Sequence, residues 1–228
     1  MSNAKVLKVN IGSGPHGKPD WVNLDWGALA LLSKLPRLRR LLIALRLLPA
    51  IYETDWPSRP RLCNCRNGLP FADGSVDFLY SSHFLEHLPR WQALKLLREC
   101  HRVLRPGGVL RLSVPDLRLL AEKYVQRDQA YYAPLQPPNA DAAWSLGDSF
   151  VSNFYGHDTW SRPDWIGRLR QRFIRGHLWM YDFDSLSRLL TTAGFTEVAR
   201  CEGGVGRVPD LDFLDIHREQ SLYVEVVR

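Results

Sequence analysis

The sequence predicts an α/β protein built around a mainly parallel β-sheet. Strand-like apolar runs alternate with segments of helical period as far as residue 131. This alternation favours parallel strands with a ligand bound beyond their carboxyl ends. The last two strand-like runs, residues 195–201 and 222–227, follow one another with no evident helix between them. They therefore predict an antiparallel pair that closes the sheet.

The first element is the stretch 7–25, LKVNIGSGPHGKPDWVNLD, in which a glycine-rich turn separates two short apolar runs. The first run has the pattern of a buried parallel strand, and Gly12 and Gly14 allow a sharp turn that a ligand can approach closely. Asp25 ends the second run, where a carboxylate can accept hydrogen bonds from ribose hydroxyls. A strand, a glycine loop, a strand and an acid together predict a nucleotide pocket.

Residues 12–17 also match the dinucleotide pattern G-x-G-x-x-G. That pattern requires a helix that opens at the third glycine and an acid about 20 residues further on. Neither is present, because Lys18 and Pro19 follow at once and the next strand begins near Trp21. Pro15 also has no N–H to donate to a phosphate. The stretch therefore argues against NAD as the ligand.

Residues 28–48 carry leucines at helical spacing with five basic residues and no acid, and Pro36 is expected to break or kink this helix. One interpretation is an amphipathic helix that contacts an anionic membrane or nucleic acid. The other is a helix whose leucine face packs on the sheet. With the loop that follows it, the segment forms an expected insert over residues 28–60.

The next elements continue the alternation. Residues 62–64 predict a third strand and residues 76–81 a fourth, with a turn cluster between them. A helix over residues 91–104 follows, because its apolar positions face one side, and Pro106 with two glycines stops it. Residues 109–114 predict the fifth strand.

After the fifth strand the regular pattern is lost. Residues 117–131 predict a helix, but residues 133–180 are rich in Pro, Trp, Tyr, Asn and Gly and show no clear period. A segment of that length is usually functional. A final helix is predicted over residues 182–194, with Asp184 as its N-cap and Gly194 as its stop.

Composition limits the class of protein. The chain has 228 residues, 45% of them hydrophobic, which suffices for the core of one large domain or two small ones. A net charge of +6 favours anionic partners. The apolar stretch 28–50 is interrupted by basic residues, and the first ten residues lack the apolar core of a signal peptide, so we expect neither a membrane span nor secretion.

The number and spacing of the cysteines indicate the cellular compartment and whether a metal site is expected. The chain has four: Cys63, Cys65, Cys100 and Cys201. They are too few and too scattered for a disulfide framework. Reduced thiols in the cytoplasm are the simpler interpretation. Histidines, cysteines and acids show no convincing metal-ligand spacing, so the sequence predicts no metal site.

Four motifs in order resemble the class I S-adenosylmethionine-dependent methyltransferases. They are VNIGSG at 9–14, LPF with DGSVD within 69–77, SHFLEHL at 82–88 and ECHRVLRPGG at 99–108. GHLWMYD at 176–182 and SLYVE at 221–225 are similar to a bacterial group of unassigned substrate, related to the quinone-biosynthesis type. The resemblance implies one domain over 1–228: a Rossmann-like seven-stranded sheet, helices on both faces, an antiparallel last pair and an insert after strand five.

The resemblance also implies S-adenosylmethionine as the cofactor and assigns its contacts. The glycine loop would approach the methionine part, and Asp25 would bind the ribose hydroxyls. Asn64 stands where the family usually has an acid against the adenine amino group, although its side-chain oxygen can accept the same bond. Asn10 is a second position where an acid is usual. The expected cofactor contacts are Gly12, Ser13, Gly14, Asp25, Trp26, Asn64, Cys65, Ser82 and His83.

Three histidines are candidate catalytic residues. His83, just past strand four, is the first candidate base, since an oxygen or nitrogen nucleophile that carries a proton benefits from an acceptor within reach. Its alternative role is to shape the pocket or to cap the next helix. Glu86 and His87 are expected to be structural. His157 and His177 lie in the insert, near tryptophans and arginines that would line an acceptor pocket and hold a phosphate or carboxylate.

We therefore expect a cytoplasmic methyltransferase that acts by in-line transfer on a small acceptor, anionic or lipid-linked, bound by an insert over residues 117–181. A binding module without turnover remains open, because Asn10 and Asn64 depart from the family pattern. A nucleic-acid methyltransferase also remains open, but it ranks lower since no separate basic domain or stacking motif is evident. Peripheral membrane contact through residues 28–48 is a further expectation. The oligomeric state is not predicted.

Overall fold

The structure is a computed structural model that describes residues 6–45, 47–48, 53, 56, 58–136, 144–155 and 176–228. Its strands are β1 Lys8–Ile11, β2 Val22–Asp25, β3 Arg61–Leu62, β4 Val76–Ser82, β5 Leu104–Pro115, β6 Glu197–Cys201 and β7 Ser221–Val227. Its helices within these residues are α1 Ala28–Ser33, α2 Pro36–Ala44, α3 Arg90–Val103, α4 Leu117–Val125, α5 Gln129–Tyr132, α6 Leu146–Tyr155, α7 Phe183–Ala193 and α8 Leu211–Leu214.

The strands form one seven-stranded sheet in the order β3-β2-β1-β4-β5-β7-β6. The pairs β1–β2, β2–β3, β1–β4 and β4–β5 are parallel, whereas β7 is antiparallel to both β5 and β6. This confirms the predicted fold class. The strand order reverses between β1 and β4, and a parallel sheet binds its ligand at such a switch point.

Side chains alternate between two cores along the central strands. Leu79 of β4 and Leu110 of β5 belong to the larger core, which also receives buried residues of α3 and α7. Their neighbours Tyr80 and Val109 point to the opposite face, as the period of two in a strand requires, and pack in a smaller core with Leu211 of α8. The chain between β6 and β7 therefore covers the second face of the sheet.

A buried arginine ties the chain between β6 and β7 to the sheet. Arg111 on β5 is fully buried, and its guanidinium donates to Asp215 at 2.6 Å and to Glu225 at 3.0 Å. It also donates to the carbonyl oxygens of Glu202 at 2.8 Å and Val205 at 3.0 Å. With a second bond to Asp215 at 3.3 Å, all five of its N–H groups have partners.

Two features of the helices differ from the sequence predictions. The predicted helix over 117–131 is two helices, because Arg127 takes a left-handed conformation (φ +57°) and Asp128 caps α5. The N-cap of α7 is Asp182, not Asp184: Asp182 and Ser185 form a reciprocal capping box. Tyr181 is paired with Asp116 in extended conformation, so α7 cannot begin earlier.

Two helices were missed entirely. α6 lies in the aperiodic stretch and packs Phe150 and Phe154 against the cluster around Leu120 and Tyr132. α8 is a single turn between β6 and β7 that buries Leu211 and Leu214. The predicted break at Pro36 is confirmed, since Pro36 begins α2. In the described part of the chain, no helix has the length and apolarity needed to cross a membrane.

Candidate cofactor and acceptor site

The glycine-rich turn after β1 is held against β2. The amides of Gly12 and Ser13 both donate to the carbonyl oxygen of Leu24, at 2.9 and 3.1 Å. Gly12 has φ +68°, and a Cβ there would lie 2.6 Å from ring atoms of Phe84, so neither the conformation nor the space admits a side chain. At Gly14 no described atom lies within 4 Å of a Cβ position, which leaves this backbone open to a ligand.

Asp25 closes β2 beside this turn. Its Oδ2 accepts the N–H of Gly14 at 2.7 Å, and its Oδ1 accepts the N–H of Trp26 at 2.6 Å. A carboxylate offers about four acceptor positions, so capacity remains for two further donors. Burial raises the pKa of Asp25, and the two backbone donors oppose that rise. The open glycine backbone and the partly used carboxylate fit the adenosyl group of S-adenosylmethionine.

Three other predicted cofactor contacts lie after β2 and β3. The Oδ1 of Asn64 already accepts from the backbone N and the Nε of Arg66, at 3.3 and 3.0 Å, so the oxygen expected to accept from adenine is engaged within the protein. Cys65 is buried in the larger core, which turns its thiol away from solvent. Trp26 is 57% exposed.

A cavity of about 180 Å³ lies over the switch point. Five of the predicted contacts line it: Gly12, Ser13, Gly14, Ser82 and His83. The predicted contacts after β2 and β3 are not among its walls. The structure thus brings the glycine loop and the end of β4 together in one crevice, with Asp25 on the other side of the loop.

Sequence reasoning missed five residues of this cavity: His16, Tyr80, Leu214, Ile216 and His217. His217 lies just before β7, whose antiparallel pairing with β5 puts its first residue opposite Pro115 at the carboxyl end of β5. The predicted antiparallel pair therefore contained the signal that residues before position 221 reach the ligand edge. Burial lowers the pKa of His217, which favours its neutral form.

His83 lines the crevice in a constrained geometry. It has φ +48°, and its backbone N–H donates to Ser113 at 2.9 Å. Its Nε2 lies 2.8 Å from the Ser221 hydroxyl, and its Nδ1 lies 3.4 Å from a carboxylate oxygen of Glu86. The carboxylate favours the tautomer with the proton on Nδ1, so the Nε2 lone pair faces Ser221.

A second group of titratable residues lies behind His83. Glu86 is fully buried, and one ligand atom from each of Glu86, His87 and His177 lies within 4.8 Å of the others. Burial alone would raise the pKa of Glu86, but His83, His87 and His177 together hold it below the ordinary value. Burial lowers the pKa of His177. His177 is therefore brought to this group and not to the crevice.

A larger cavity of about 590 Å³ adjoins the crevice, because Ile216 and His217 belong to the walls of both. Its other walls include Tyr131 and Leu135 from the segment after β5 and Arg218 from the segment before β7. The expected acceptor insert thus contributes one wall. His157 and the arginines 168–175 lie outside the described residues.

The sheet order, the antiparallel β7 and the glycine loop at the β1–β4 switch point define the Rossmann-like fold of class I methyltransferases. Residues 51–112 match the family described as "Methyltransferase domain". This stretch holds β3, β4, α3 and part of β5, about a quarter of the chain.

Short stretches of the chain are also similar in sequence to two methyltransferases. A 48-residue stretch is 46% identical to a probable S-adenosylmethionine-dependent methyltransferase of Mycolicibacterium smegmatis, over 21% of this chain and 18% of the relative. A 50-residue stretch is 48% identical to malonyl-[acyl-carrier protein] O-methyltransferase 1 of Coxiella burnetii, over 21% and 17%. The matches therefore span less than a fifth of the length of these relatives. With the family match, they confirm the resemblance to S-adenosylmethionine-dependent methyltransferases.

Among solved structures, an S-adenosylmethionine-dependent methyltransferase from Mesorhizobium loti is 21% identical. The alignment covers 100% of this chain and 94% of that one, with a TM-score of 0.45.

Proposed function

We propose that this protein is a class I methyltransferase that uses S-adenosylmethionine. The observation that carries the proposal is the pairing of the glycine loop with Asp25, in which the Gly14 amide donates to the carboxylate at 2.7 Å beside the switch point. The loop would hold the methionine part and Asp25 the ribose. The sulfonium supplies an already activated methyl group, so the chain mainly has to align the acceptor and exclude water.

His83 is the proposed base for an acceptor that carries a proton. Its ring lines the crevice, and Glu86 beside Nδ1 favours a lone pair on Nε2. The Ser221 hydroxyl at 2.8 Å is placed to pass a proton to that lone pair. For His157 and His177, a catalytic role rests on the sequence pattern alone.

The proposed acceptor is a small molecule that enters through the larger cavity. That cavity adjoins the crevice at Ile216 and His217, so we expect a bound acceptor to meet the methyl group there. Tyr131 and Leu135 offer an apolar wall, which suits a lipid-linked molecule. Arg218 is the cation of the lining; it pairs with Asp212 at 3.0 Å, and an anionic acceptor would compete for it. The Coxiella burnetii relative is named for a malonyl group carried on an acyl-carrier protein, which is an alternative to a free small molecule.

We place the protein in the cytoplasm. Supporting this, all four cysteines are free: Cys63, Cys65, Cys100 and Cys201. Reduced thiols are the rule in that compartment.

Removal of the Asp25 carboxylate is expected to lower cofactor affinity by roughly 10–100-fold, since a hydrogen bond to a charged group contributes about 1.5–3 kcal/mol. The variant is Asp25→Ala, titrated with S-adenosylhomocysteine by calorimetry at pH 7. The ribose hydroxyls donate to the ionised carboxylate, whose pKa burial raises. Affinity of the unchanged protein should therefore fall on acidification, beginning at a higher pH than an ordinary aspartate would give.

Asp20→Ala is the matched control, because Asp20 pairs on the surface with Lys18 at 2.8 Å and does not face the loop. It should bind S-adenosylhomocysteine like the unchanged protein. Equal affinities of all three proteins would contradict the assignment of Asp25.

We further propose that α1 and α2 make peripheral contact with an anionic membrane. Five leucines of this segment are 42–58% exposed: Leu31, Leu35, Leu38, Leu41 and Leu45. Basic Lys34, Arg37 and Arg40 are exposed beside them. Apolar residues interspersed with cations are typical of helices that lie in a membrane interface.

Leu38→Glu with Leu41→Glu is expected to reduce co-sedimentation with anionic phospholipid vesicles at least roughly tenfold, because burial of each leucine contributes about 1.5–3 kcal/mol. Val125→Glu is the matched control, since Val125 is 80% exposed on α4. If the unchanged protein fails to sediment with these vesicles, the contact proposal is wrong.

A further inference from the structure

Glu86 presents an unusual electrostatic problem. Its side chain is fully buried, yet neither carboxylate oxygen has a hydrogen-bond partner within the described ranges of the chain. The nearest cationic candidate is His83, whose Nδ1 at 3.4 Å is beyond the usual length of a hydrogen bond. A buried carboxylate is costly unless it is paired, hydrogen-bonded or bound to a metal.

The imidazole rings of His87 and His177 lie beside this carboxylate, but their N–H groups point to backbone carbonyl oxygens and not to Glu86. The Nδ1 of His87 faces the carbonyl oxygen of Gly176 at 3.2 Å, and the Nδ1 of His177 faces that of Asn153 at 2.7 Å. A carbonyl can only accept, so each Nδ1 carries the proton, and in the neutral ring Nε2 holds a lone pair. Ligands of metal ions are commonly oriented through this kind of second hydrogen bond.

The backbone fixes the three groups relative to one another. The amides of Leu178 and Trp179 both donate to the carbonyl oxygen of Glu86, at 2.7 and 3.1 Å, which holds the chain at position 177 beside the turn that follows β4. The rings of His87 and His177 are 5.1 Å apart. The buried hydroxyl of Tyr181 is a further polar group with no partner among the described residues.

We propose that Glu86, His87 and His177 form a binding site for a divalent transition-metal ion such as Zn²⁺. Two imidazoles and one carboxylate are a ligand set that such ions take in proteins, with an open position for water or another oxygen ligand. In tetrahedral coordination, ligand atoms about 2.1 Å from the ion lie about 3.4 Å from one another. The three ligand atoms lie within 4.8 Å of one another, so binding of the ion requires the side chains to move inward by roughly 1 Å.

The site would serve the neighbouring crevice. His83 contacts Glu86 and also lines the crevice, so the ion lies one side chain away from the proposed methyl acceptor. Bound there, the ion would orient His83 through Glu86. This role rests on the proposed function, whereas binding of the ion does not.

The test is titration of chelator-treated protein with ZnCl₂ by calorimetry, together with the visible spectrum of the Co²⁺-loaded protein. We expect one tight equivalent and a Co²⁺ spectrum of nitrogen and oxygen ligation. Glu86→Gln keeps the size of its side chain, and His177→Asn leaves a smaller polar one; each should weaken Zn²⁺ binding at least 100-fold. His101→Asn is the matched control, because His101 packs against Phe195 away from this group, and should bind like the unchanged protein.

Cys63→Ser tests whether thiols account for the ion. Zn²⁺ affinity that is unchanged in Glu86→Gln and His177→Asn, or that is lost in Cys63→Ser, would overturn the proposal. The proposal is also overturned if the unchanged protein binds no tight equivalent of Zn²⁺, a result that does not depend on the folding of any variant.

S-adenosylhomocysteine binding, measured on the same sample, separates the two proposals. Binding of Zn²⁺ without binding of the nucleoside would contradict the methyltransferase proposal and support the metal site.

Discussion

Arg111→Met is expected to destabilise the protein by about 3–5 kcal/mol, the usual cost of removing one partner from a buried ion pair. The substitution leaves the carboxylates of Asp215 and Glu225 buried without their cation. It also removes the donors to Glu202 and Val205 that hold the chain between β6 and β7. In a chain of this length the melting temperature should fall by roughly 6–20 °C, as circular dichroism would measure.

Arg118→Met is the matched control. Arg118 also pairs with a carboxylate, Glu122 at 2.8 Å, but its side chain is 68% exposed, and such pairs contribute about 0.3–0.5 kcal/mol. A double variant, Arg111→Met with Asp215→Asn, should recover part of the loss because it removes one uncompensated charge. If Arg111→Met melts within a few degrees of the control, the buried network does not hold the chain between β6 and β7 in place.

Gly12→Ala is expected to cost about 1–3 kcal/mol of stability and to lower S-adenosylhomocysteine affinity by roughly 10–100-fold. The new Cβ would lie 2.6 Å from ring carbons of Phe84 and would occupy a conformation with φ +68°. The loop is bonded to Leu24, so relief requires either the loop or Phe84 to move. Calorimetry and urea unfolding measure the two effects.

Gly74→Ala separates backbone strain from this clash. Gly74 has a similar φ of +62°, but the atoms nearest to its Cβ position are at 3.7 and 3.9 Å, which is ordinary contact. The free energy of unfolding of Gly74→Ala should fall by about 1–2 kcal/mol, because alanine is strained in the left-handed conformation. Its affinity for S-adenosylhomocysteine should be unchanged. Equal affinity of Gly12→Ala and Gly74→Ala would show that the loop at Gly12 does not shape the site.

The sheet could be predicted because most of its strands are short apolar runs bounded by turn residues. β4 folds where its apolar run puts it, whereas β5 begins at Leu104, five residues before the predicted start, and includes the turn residues 106–108 that were expected to precede it. α6 was missed although Leu146, Phe150 and Phe154 recur every four residues, because the glycine, serines and asparagine between them are weak helix formers. Tertiary contacts with α4 and α5 order its phenylalanines. Likewise Asp182 and Asp184 are equally good caps, and only the pairing of Tyr181 with Asp116 selects the first.

Some residues of the candidate site could be predicted from the sequence and others could not. Gly12, Gly14 and Asp25 lie within one short stretch, so a sequence motif was enough to bring them together. His217 reaches the crevice only through the antiparallel course of β7. His177 meets Glu86 through backbone bonds between distant parts of the chain and through α6, which supplies the carbonyl oxygen of Asn153. Residue spacing in the sequence does not reveal these contacts, so the sequence analysis could not find the group that we propose as a metal site.

The central claim is that the glycine loop and Asp25 bind the adenosyl part of S-adenosylmethionine. The most direct measurement is a crystal structure of the unchanged protein with S-adenosylhomocysteine. We predict the ribose hydroxyls within hydrogen-bonding distance of the Asp25 carboxylate and the sulfur beside the end of β4, near His83. A nucleoside bound elsewhere, or a crevice closed by side chains of the protein at saturating ligand, would contradict this claim.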